Sequence, residues 1–179
     1  MIKLSLPDGS VKEYQDKVTV LDATRDISEG LARAAVGAVV NDKVMGYAEE
    51  ITEDATFRVV KFDDPEGKEI FWHTSSHLMA AAIKELWPDA KFAIGPAVKD
   101  GFYYDIDVEH RFVPEDLPKI EKKMLELAKK DLKLERKVIS RQEALDYFTK
   151  EGQDYKVRLI NDLPEDEVIS IYDMGEGVF

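Results

Sequence analysis

A short polar segment, Asp63-Asp64-Pro65-Glu66-Gly67, divides the sequence into two regions with different hydrophobic patterns. Before it, short runs of alternating apolar and polar residues are typical of β-strands. After it, helical spacing of apolar residues alternates with short strand patterns. Pro and Gly favour turns, and a polar segment that contains both is typical of a domain boundary. We therefore predict an α+β chain with one domain over residues 1–62 and a second over residues 63–179.

The N-terminal region has the order of elements expected for a small β-grasp (ubiquitin-like) domain. Alternating apolar residues from Ile2 onward and the turn-forming stretch Pro7-Asp8-Gly9-Ser10 predict a β-hairpin. Thr19 is the predicted N-cap of a helix over residues 20–34, with a break near Gly30. Further strands are predicted at residues 36–40, 45–47 and 56–62. We find no catalytic motif in this region.

The second region mixes helices and strands, as expected for an α+β domain. A long helix is predicted over residues 69–87, because Pro88 would end it. Strands at residues 92–98 and 102–107 are joined by the turn signal Lys99-Asp100-Gly101. The other predicted elements are a helix opened by Pro114, a strand at 134–139, a helix at 141–150 with Ser140 and Glu143 as its capping box, a short helix at 155–159 and a strand at 168–172.

Two of the three histidines, His73 and His77, lie four residues apart on the predicted long helix, so their imidazoles project from one face. This geometry suits a paired acid–base site or two ligands of one metal, and it is also compatible with two ordinary helix histidines. Thr74 follows His73, so the segment lacks the glutamate of the His-Glu-x-x-His zinc proteases. His110, in a charged loop, is predicted to be a solvated surface residue.

Composition limits the chemistry and the partners. The chain contains no cysteine, which excludes disulfides, Cys-ligated zinc and a thiol nucleophile within it. Without a third well-placed histidine we do not expect a complete zinc site, and His73 and His77 would be the ligands of any bound metal. The net charge of −12 argues against nucleic-acid binding through a generally basic surface, although it leaves room for a local basic patch. No apolar run approaches membrane-spanning length, and no signal peptide is predicted.

Gly95 and Tyr104 belong to a second notable region, formed by Ile94-Gly95-Pro96 and Gly101-Phe102-Tyr103-Tyr104-Asp105. Gly95 would allow another part of the chain to approach closely. The two adjacent tyrosines would face opposite sides of a strand, one toward the core and the other toward a ligand. A hairpin with an aromatic core explains the same residues. Nothing around Lys156 distinguishes it from other lysines, although a lysine beside an imidazole can donate a proton.

Together these stretches resemble the N-terminal region of bacterial threonyl-tRNA synthetases. The order His73-Thr74-Ser75-Ser76-His77-Leu78, Ile94-Gly95-Pro96, Gly101-Phe102-Tyr103-Tyr104-Asp105 resembles that family's editing domain, and the β-grasp region looks like its TGS domain. The resemblance spans essentially the whole chain. It implies hydrolysis of the ester in mischarged seryl-tRNA(Thr), because one methyl group gives a binding pocket only ~1–3 kcal/mol of discrimination between serine and threonine.

The resemblance also implies roles for individual residues. His73 would act as the base or orient the attacking water, Lys156 falls at the family's catalytic lysine position, and His77 would complete the site. Gly95 and Tyr104 would lie on the substrate side. The implied partner is the 3′ end of tRNA(Thr) carrying serine, in the cytoplasm. This chain would need no cofactor and would be monomeric, whereas the full-length enzyme would be a homodimer that uses ATP, Mg and zinc in its aminoacylation core.

The family further implies a Cys and a His, in an Asp-Leu-Cys-x-Gly-Pro-His stretch, shortly after the strand that ends near Tyr172. The sequence ends at Phe179, where that stretch would begin, so we interpret the chain as part of a longer enzyme with half of its pocket missing. Two alternatives remain open at this point. One is a non-catalytic RNA- or protein-binding module, and the other is a metal-dependent hydrolase that uses His73 and His77.

Overall fold

The computed structural model of the protein describes residues 1–175 and 177. It divides into two compact units, Met1–Phe71 and Trp72–Phe179. The interpretation of the chain end falls partly on Glu176, Val178 and Phe179, which lie outside the described residues. Within the described residues, no helix is both long enough and apolar enough to cross a membrane.

The first unit is a mixed sheet with two short helices. Its elements are β1 (Ile2–Ser5), β2 (Val11–Tyr14), β3 (Val18–Thr19), α1 (Val20–Ile27), α2 (Glu29–Ala34), β4 (Ala35–Val40), β5 (Lys43–Met45), β6 (Glu50–Ile51) and β7 (Ala55–Lys61). Five strands form one sheet in the order β2-β1-β7-β4-β5, and β3 pairs separately with β6. β1 is antiparallel to β2 and parallel to β7. This is the arrangement of a β-grasp domain.

The sheet forms because its strands alternate between apolar and polar residues. Ile2 and Leu4 of β1 are buried, whereas their neighbours Lys3 and Ser5 are exposed, which gives the strand one apolar face. Phe57 of β7 is 1% exposed and belongs to the same core. The predicted hairpin of β1 and β2 and the predicted α+β fold class are therefore confirmed.

Several predicted boundaries in this part of the chain differ from the observed ones, and the strand predicted at residues 45–47 is β5 at Lys43–Met45. The break predicted near Gly30 in the helix over residues 20–34 is present and lies at Ser28, because Ser28 has an extended backbone and caps α2 by accepting a hydrogen bond from the Leu31 backbone N–H. The predicted linker at 63–67 is helical from Pro65, where the 22-residue α3 (Pro65–Leu86) begins. Proline suits the first turn of a helix as well as it suits a loop.

The second unit combines the rest of α3 with short antiparallel pairs and three more helices. Its further elements are β8 (Lys91–Phe92), β9 (Ala97–Val98), β10 (Gly101–Phe102), β11 (Ile106–Asp107), α4 (Leu117–Lys129), β12 (Glu135–Ile139), α5 (Arg141–Lys150), α6 (Asp154–Asp162) and β13 (Ile169–Asp173). The antiparallel pairs are β8 with β11, β9 with β10, and β12 with β13.

The predicted hairpin after α3 exists, but its strands are interrupted. β9 and β10 form its tip and β8 and β11 form its base. Between tip and base, Ala93 and Asp105 donate backbone hydrogen bonds to Asp105 and Ile94 respectively, each of 2.9 Å. The two long strands predicted at 92–98 and 102–107 are therefore four short ones. The irregular middle of this hairpin contains Gly95 and Tyr104.

Two apolar clusters hold the second unit together. In the first, α3 packs Ala80 and Ile83 with Phe92 of β8 and with Ile120 and Leu127 of α4. The second lies between α5, α6 and the β12–β13 pair, and its buried residues are Ala144, Phe148, Ile160 and Ile169. The capping box of Ser140 and Glu143 begins α5 at Arg141, as predicted.

Candidate active site

His73 and His77 lie one turn apart on α3, and their ring centroids are 4.6 Å apart. His77 is buried, with 7% of its surface exposed, whereas His73 is exposed to solvent. The buried Ser76 lies between them in the sequence, and its single hydroxyl proton is within hydrogen-bonding distance of the backbone carbonyls of His73 (2.8 Å) and Gly95 (3.2 Å). This serine therefore ties the histidine helix to the irregular part of the hairpin.

Tyr172, on β13, packs against both histidines. Its ring centroid lies 5.2 Å from that of His73 and 5.0 Å from that of His77, and it stacks on His77 at 29°. Sequence analysis did not select Tyr172. Its place on a predicted strand gave the only signal, because nothing in the local pattern showed which residues the strand would face.

Gly95 is required for close packing against Tyr104. A Cβ atom at position 95 would lie 2.4 Å from a carbon of the Tyr104 ring, well inside van der Waals contact. Tyr104 is half-buried and packs edge-on against Phe92 at 5.5 Å, whereas Tyr103 is exposed. The predicted opposite orientation of the two tyrosines is therefore seen, although neither belongs to a regular strand.

The side chain of Lys156, on α6, lies beside Tyr104. Its Nζ lies 3.5 Å from the Tyr104 hydroxyl and 5.7 Å from the centre of the Phe148 ring. The side chain is half-buried, and this burial lowers the pKa of Lys156 to about 8. A lysine with such a pKa exchanges protons readily near neutral pH, which most surface lysines do not.

The first turn of α6 is anchored to the base of the hairpin. The buried Gln153 side chain donates to the Ala90 carbonyl (3.2 Å) and accepts from the Phe92 backbone N–H (2.9 Å). Asp154 pairs with Lys91 at 2.5 Å. These contacts hold Lys156 beside Tyr104. Sequence analysis missed Gln153, because a glutamine before a helix carries no local signal of a partner sixty residues away.

The charge of Lys156 also affects the histidine pair. The pKa of His77 is lowered to about 3, mainly by burial and to a smaller extent by the positive charge that His73 and Lys156 can carry. His77 is therefore neutral at physiological pH. Burial also raises the pKa of Tyr104 to about 12, so its phenol keeps its proton and can donate a hydrogen bond.

The structure thus brings all five predicted site residues into one region of the second unit. His73 and His77 contact each other and Tyr172, Lys156 meets Tyr104, and Gly95 accommodates the Tyr104 ring. The arrangement offers an exposed imidazole, a neutral buried imidazole, a phenol donor and a lysine of lowered pKa. Such a set can orient water and move protons. The catalytic roles of these residues stay predictions.

His110 lies in a different cluster, and its predicted solvated state was wrong. Its Nε2 lies 2.6 Å from Oδ2 of Asp116, and its ring stacks on Trp87 at 4.9 Å. Asp116 is buried and also accepts hydrogen bonds from Lys119 and the Val113 backbone. The hydrogen bond with His110 is the main cause that holds the pKa of Asp116 well below its usual range. The cluster secures the chain before α4.

No group of three or more metal-binding side chains (His, Asp or Glu) is placed to hold an ion within residues 1–175 and 177. In the candidate site, His73 and His77 are two neighbouring side chains of a type that binds metals. The assignment of these two residues as the ligands of any bound metal stays a prediction.

Comparison with known proteins agrees with this architecture. The family model of the TGS domain matches residues 2–61, so the first unit contains a TGS domain. The chain is also 56% identical over 178 residues to the threonine–tRNA ligase of Finegoldia magna and 54% identical over 176 residues to that of Clostridioides difficile. These matches cover 99% and 98% of this chain, but only 28% of each relative.

A third relative shows the same pattern of coverage at lower identity. The threonine–tRNA ligase of Desulforamulus reducens is 48% identical over 176 residues, again across 98% of this chain and 28% of the relative. The chain is therefore homologous, over almost all its residues, to the N-terminal part of bacterial threonine–tRNA ligases. It spans a little over a quarter of the length of these relatives.

Proposed function

We propose that this chain hydrolyses the ester bond of tRNA(Thr) that has been mischarged with serine. The observation that carries the proposal is the meeting of the exposed His73, the neutral buried His77 and the half-buried Lys156 in one site of the second unit. Homology to threonine–tRNA ligases supplies the substrate class. Within a threonine–tRNA ligase, such a region would act in editing during cytoplasmic protein synthesis.

The chemical need for such a site follows from the amino acids. Serine is smaller than threonine by one methyl group, and a binding pocket that accepts threonine rejects serine by only ~1–3 kcal/mol. A second site that hydrolyses the serine product corrects the error. This second pocket has to exclude threonine, so a wall must clash with the extra methyl group.

The geometry suggests how hydrolysis proceeds. His73 is exposed, so a water molecule can reach its imidazole, which would orient the water and accept its proton during attack on the ester carbonyl. The Lys156 ammonium group would stabilise the negative charge that develops and give a proton to the leaving ribose oxygen. Its pKa of about 8 suits a group that donates a proton near neutral pH.

His77 and Tyr104 would support these two groups. Because His77 is neutral, it packs beneath His73 without adding a second positive charge to the site. Tyr104 keeps its phenolic proton and meets Lys156, so it would direct the ammonium group and help to bind the substrate. Gly95 leaves space for the Tyr104 ring in this position.

The test is single-turnover deacylation of seryl-tRNA(Thr) by this chain, beside threonyl-tRNA(Thr) as the specificity control. We expect serine-selective hydrolysis that falls at least about 100-fold in His73→Ala, since general acid–base groups contribute roughly 10²–10⁴ in rate. His110→Ala is the matched control, because His110 belongs to another cluster. Circular dichroism of both variants checks that they are folded.

Three outcomes contradict the proposal. One is hydrolysis of seryl-tRNA(Thr) by the wild-type chain at no more than the uncatalysed rate. Another is equal hydrolysis of the threonyl and seryl esters. The third is an undiminished rate in folded His73→Ala. RNA binding without hydrolysis would instead favour a non-catalytic binding module.

A further inference from the structure

The start of α6 departs from the usual chemistry of a helix N-terminus. Its N-cap residue is Gln153, whose side chain makes no capping hydrogen bond, whereas Thr19 and Ser140 cap α1 and α5. An N-cap side chain normally accepts a hydrogen bond from a backbone N–H of the first turn. Gln153 is instead buried, with 6% of its surface exposed, and its side chain binds another element. Departures of this kind from local rules are expected at functional sites.

The Gln153 side chain takes the place of a peptide group at one edge of β8. Its amide oxygen accepts from the Phe92 N–H (2.9 Å), and its amide nitrogen donates to the Ala90 carbonyl (3.2 Å). The next backbone N–H, that of Ala93, donates to the Asp105 carbonyl on the β11 side of the hairpin. Since successive N–H groups of a strand point to opposite edges, Gln153 binds the edge of β8 that faces away from β11.

The same two elements carry the groups that meet in the candidate site. Lys156 follows Gln153 by three residues, so the two are neighbours on the surface of α6. The ring of Phe92, whose backbone Gln153 binds, packs edge-on against Tyr104 with centroids 5.5 Å apart. The 3.5 Å separation between Lys156 Nζ and the Tyr104 hydroxyl therefore depends on where Gln153 holds α6 against β8.

The next residue of α6 provides a contrast. Asp154 pairs with Lys91 of β8 at 2.5 Å, but 74% of the Asp154 side chain and 39% of the Lys91 side chain are exposed. Water and salt screen such a pair, so it contributes little to the position of the helix. The hydrogen bonds of Gln153 are buried, and breaking a buried hydrogen bond is more costly than breaking an exposed one.

We propose that Gln153 is a positioning residue for the hydrolysis of the ester, because its bridge to β8 places the Lys156 ammonium group at the Tyr104 hydroxyl. The inference rests on the proposed function, in which Lys156 stabilises the developing charge and protonates the leaving oxygen. Gln153 acts through Lys156 and takes no part in the bond changes. A displacement of about 1 Å can cost about 100-fold in rate, so an indirect role of this kind has a measurable effect.

The experiment compares Gln153→Met with Asp154→Asn in single-turnover deacylation of seryl-tRNA(Thr) at increasing concentrations of the chain. Gln153→Met keeps the length of the side chain and removes both hydrogen bonds, whereas Asp154→Asn removes the exposed ion pair. We expect Gln153→Met to lower the rate at saturation at least about tenfold, with less than about a twofold change in the half-saturating concentration. Asp154→Asn should change either quantity by less than about twofold.

The pH dependence separates positioning from a general loss of structure. Because protonated Lys156 is the donor, the wild-type rate above the uncatalysed background should fall as the pH rises through about 8. In Gln153→Met the Lys156 side chain gains access to water and its pKa rises toward that of an ordinary lysine, so the fall should move to higher pH. Titration of the lysine side chains by ¹³C NMR, with Lys156→Met to assign the signal, measures the same pKa without hydrolysis.

Circular dichroism and tryptophan fluorescence check that each variant is folded. If Gln153→Met does not fold, Gln153→Glu replaces it with the same expected loss of rate, because its carboxyl oxygen can still accept from the Phe92 N–H. The inference is overturned if the folded Gln153 variant is as fast as Asp154→Asn, or if its rate falls while the pKa of Lys156 stays at about 8. A failure of the proposed function appears differently, as no hydrolysis by the wild-type chain, and it overturns the inference as well.

Discussion

The two units of the chain differ in what they bury. Among the described residues of the first unit, Thr24 is the one buried polar residue, and its hydroxyl donates to the Val20 carbonyl at 2.7 Å. The described part of the second unit buries four polar or charged residues, Ser76, His77, Asp116 and Gln153. A core of the first kind maximises apolar burial, whereas a core of the second kind loses stability unless each polar group has a compensating interaction.

The two units also differ in how burial shifts the pKa values of their side chains, and this difference bears on function. In the first unit, burial raises the pKa of Tyr14 to about 12, which leaves its charge at neutral pH unchanged. In the second unit, burial lowers the pKa of His77 to about 3 and that of Lys156 to about 8. Perturbed groups that gather in one place mark a functional site more often than a structural one. The second unit is therefore the part of the chain that has the features of a functional site.

The largest expected effects come from truncating one buried aromatic side chain in each unit, which tests whether the two units unfold independently. Phe57 and Phe92 are both 1% exposed, so we expect Phe57→Ala and Phe92→Ala each to lower the free energy of unfolding of its own unit by about 3–5 kcal/mol. Trp72 and Trp87 both lie in the second unit, so tryptophan fluorescence follows that unit alone, while circular dichroism follows both.

In denaturant titrations, Phe92→Ala should move the fluorescence midpoint and Phe57→Ala should not. If Phe57→Ala moves the fluorescence midpoint as far as Phe92→Ala does, the two units unfold together, and the contrast between their cores does not describe independent parts.

The next effect concerns the lysine of lowered pKa. We expect Lys156→Met to reduce the single-turnover rate of seryl-tRNA(Thr) deacylation at least about 100-fold, since it removes a proton donor and a positive charge from the site. The control is Lys150→Met, which changes an exposed lysine of α5. Equal rates in the two folded variants would show that the lowered pKa of Lys156 does not mark a catalytic role.

Acidification should affect the second unit through its buried histidine. The pKa of His77 is about 3 in the folded state and about 6.5 when unfolded, so the unfolded state binds more protons as the pH falls through 6.5. Stability is fully present above that pH, and this linkage lowers the free energy of unfolding by about 2 kcal/mol between pH 7 and pH 5.

The measurement is urea unfolding followed by tryptophan fluorescence at pH 7, 6 and 5, in the wild-type chain and in His77→Gln. We expect the His77→Gln variant to lose this part of the pH dependence. All three histidines lie in the second unit, so the first unit should not share it. The same pH dependence in His77→Gln would show that His77 is not its source.

The smallest effects are expected at one helix cap in each unit. Thr19 accepts from the Asp22 backbone N–H at the start of α1, and Ser140 accepts from that of Glu143 at the start of α5. We expect Thr19→Ala and Ser140→Ala each to lower the stability of its own unit by about 1 kcal/mol. Fluorescence should report the loss for Ser140→Ala only, and a shift of its midpoint by Thr19→Ala would indicate coupled unfolding.

Local features of the fold were predictable from the sequence. Thr19 and Ser140 mark their helices, and the turn at Lys99-Asp100-Gly101 marks the hairpin, because caps and turns depend on residues within about one helical turn. The short strands β3 and β6 were missed, because two residues are too few to show a periodic pattern.

Some features of the candidate site were likewise predictable from the sequence, and others were not. The spacing of His73 and His77 placed them on one face of a helix, and the stretches that contain Gly95 and Tyr104 were notable in the sequence itself. The resemblance to a family added Lys156 and the expected substrate-side roles of Gly95 and Tyr104. The sequence did not predict that Tyr172 would stack on the histidines, or that Gln153 would hold α6 against β8. These contacts join residues that are 60 to 100 positions apart in the chain.

The sequence by itself therefore determined the approximate positions of most helices and strands and the pairing of His73 with His77. These features follow from interactions between near neighbours and from the alternation of apolar and polar residues. Only the tertiary structure decided that His77 is neutral, that Lys156 has a lowered pKa, and that Tyr172 packs against His73 and His77. The physical reason is that desolvation and charge interactions depend on what surrounds a group in space, and distant parts of the chain supply most of those surroundings.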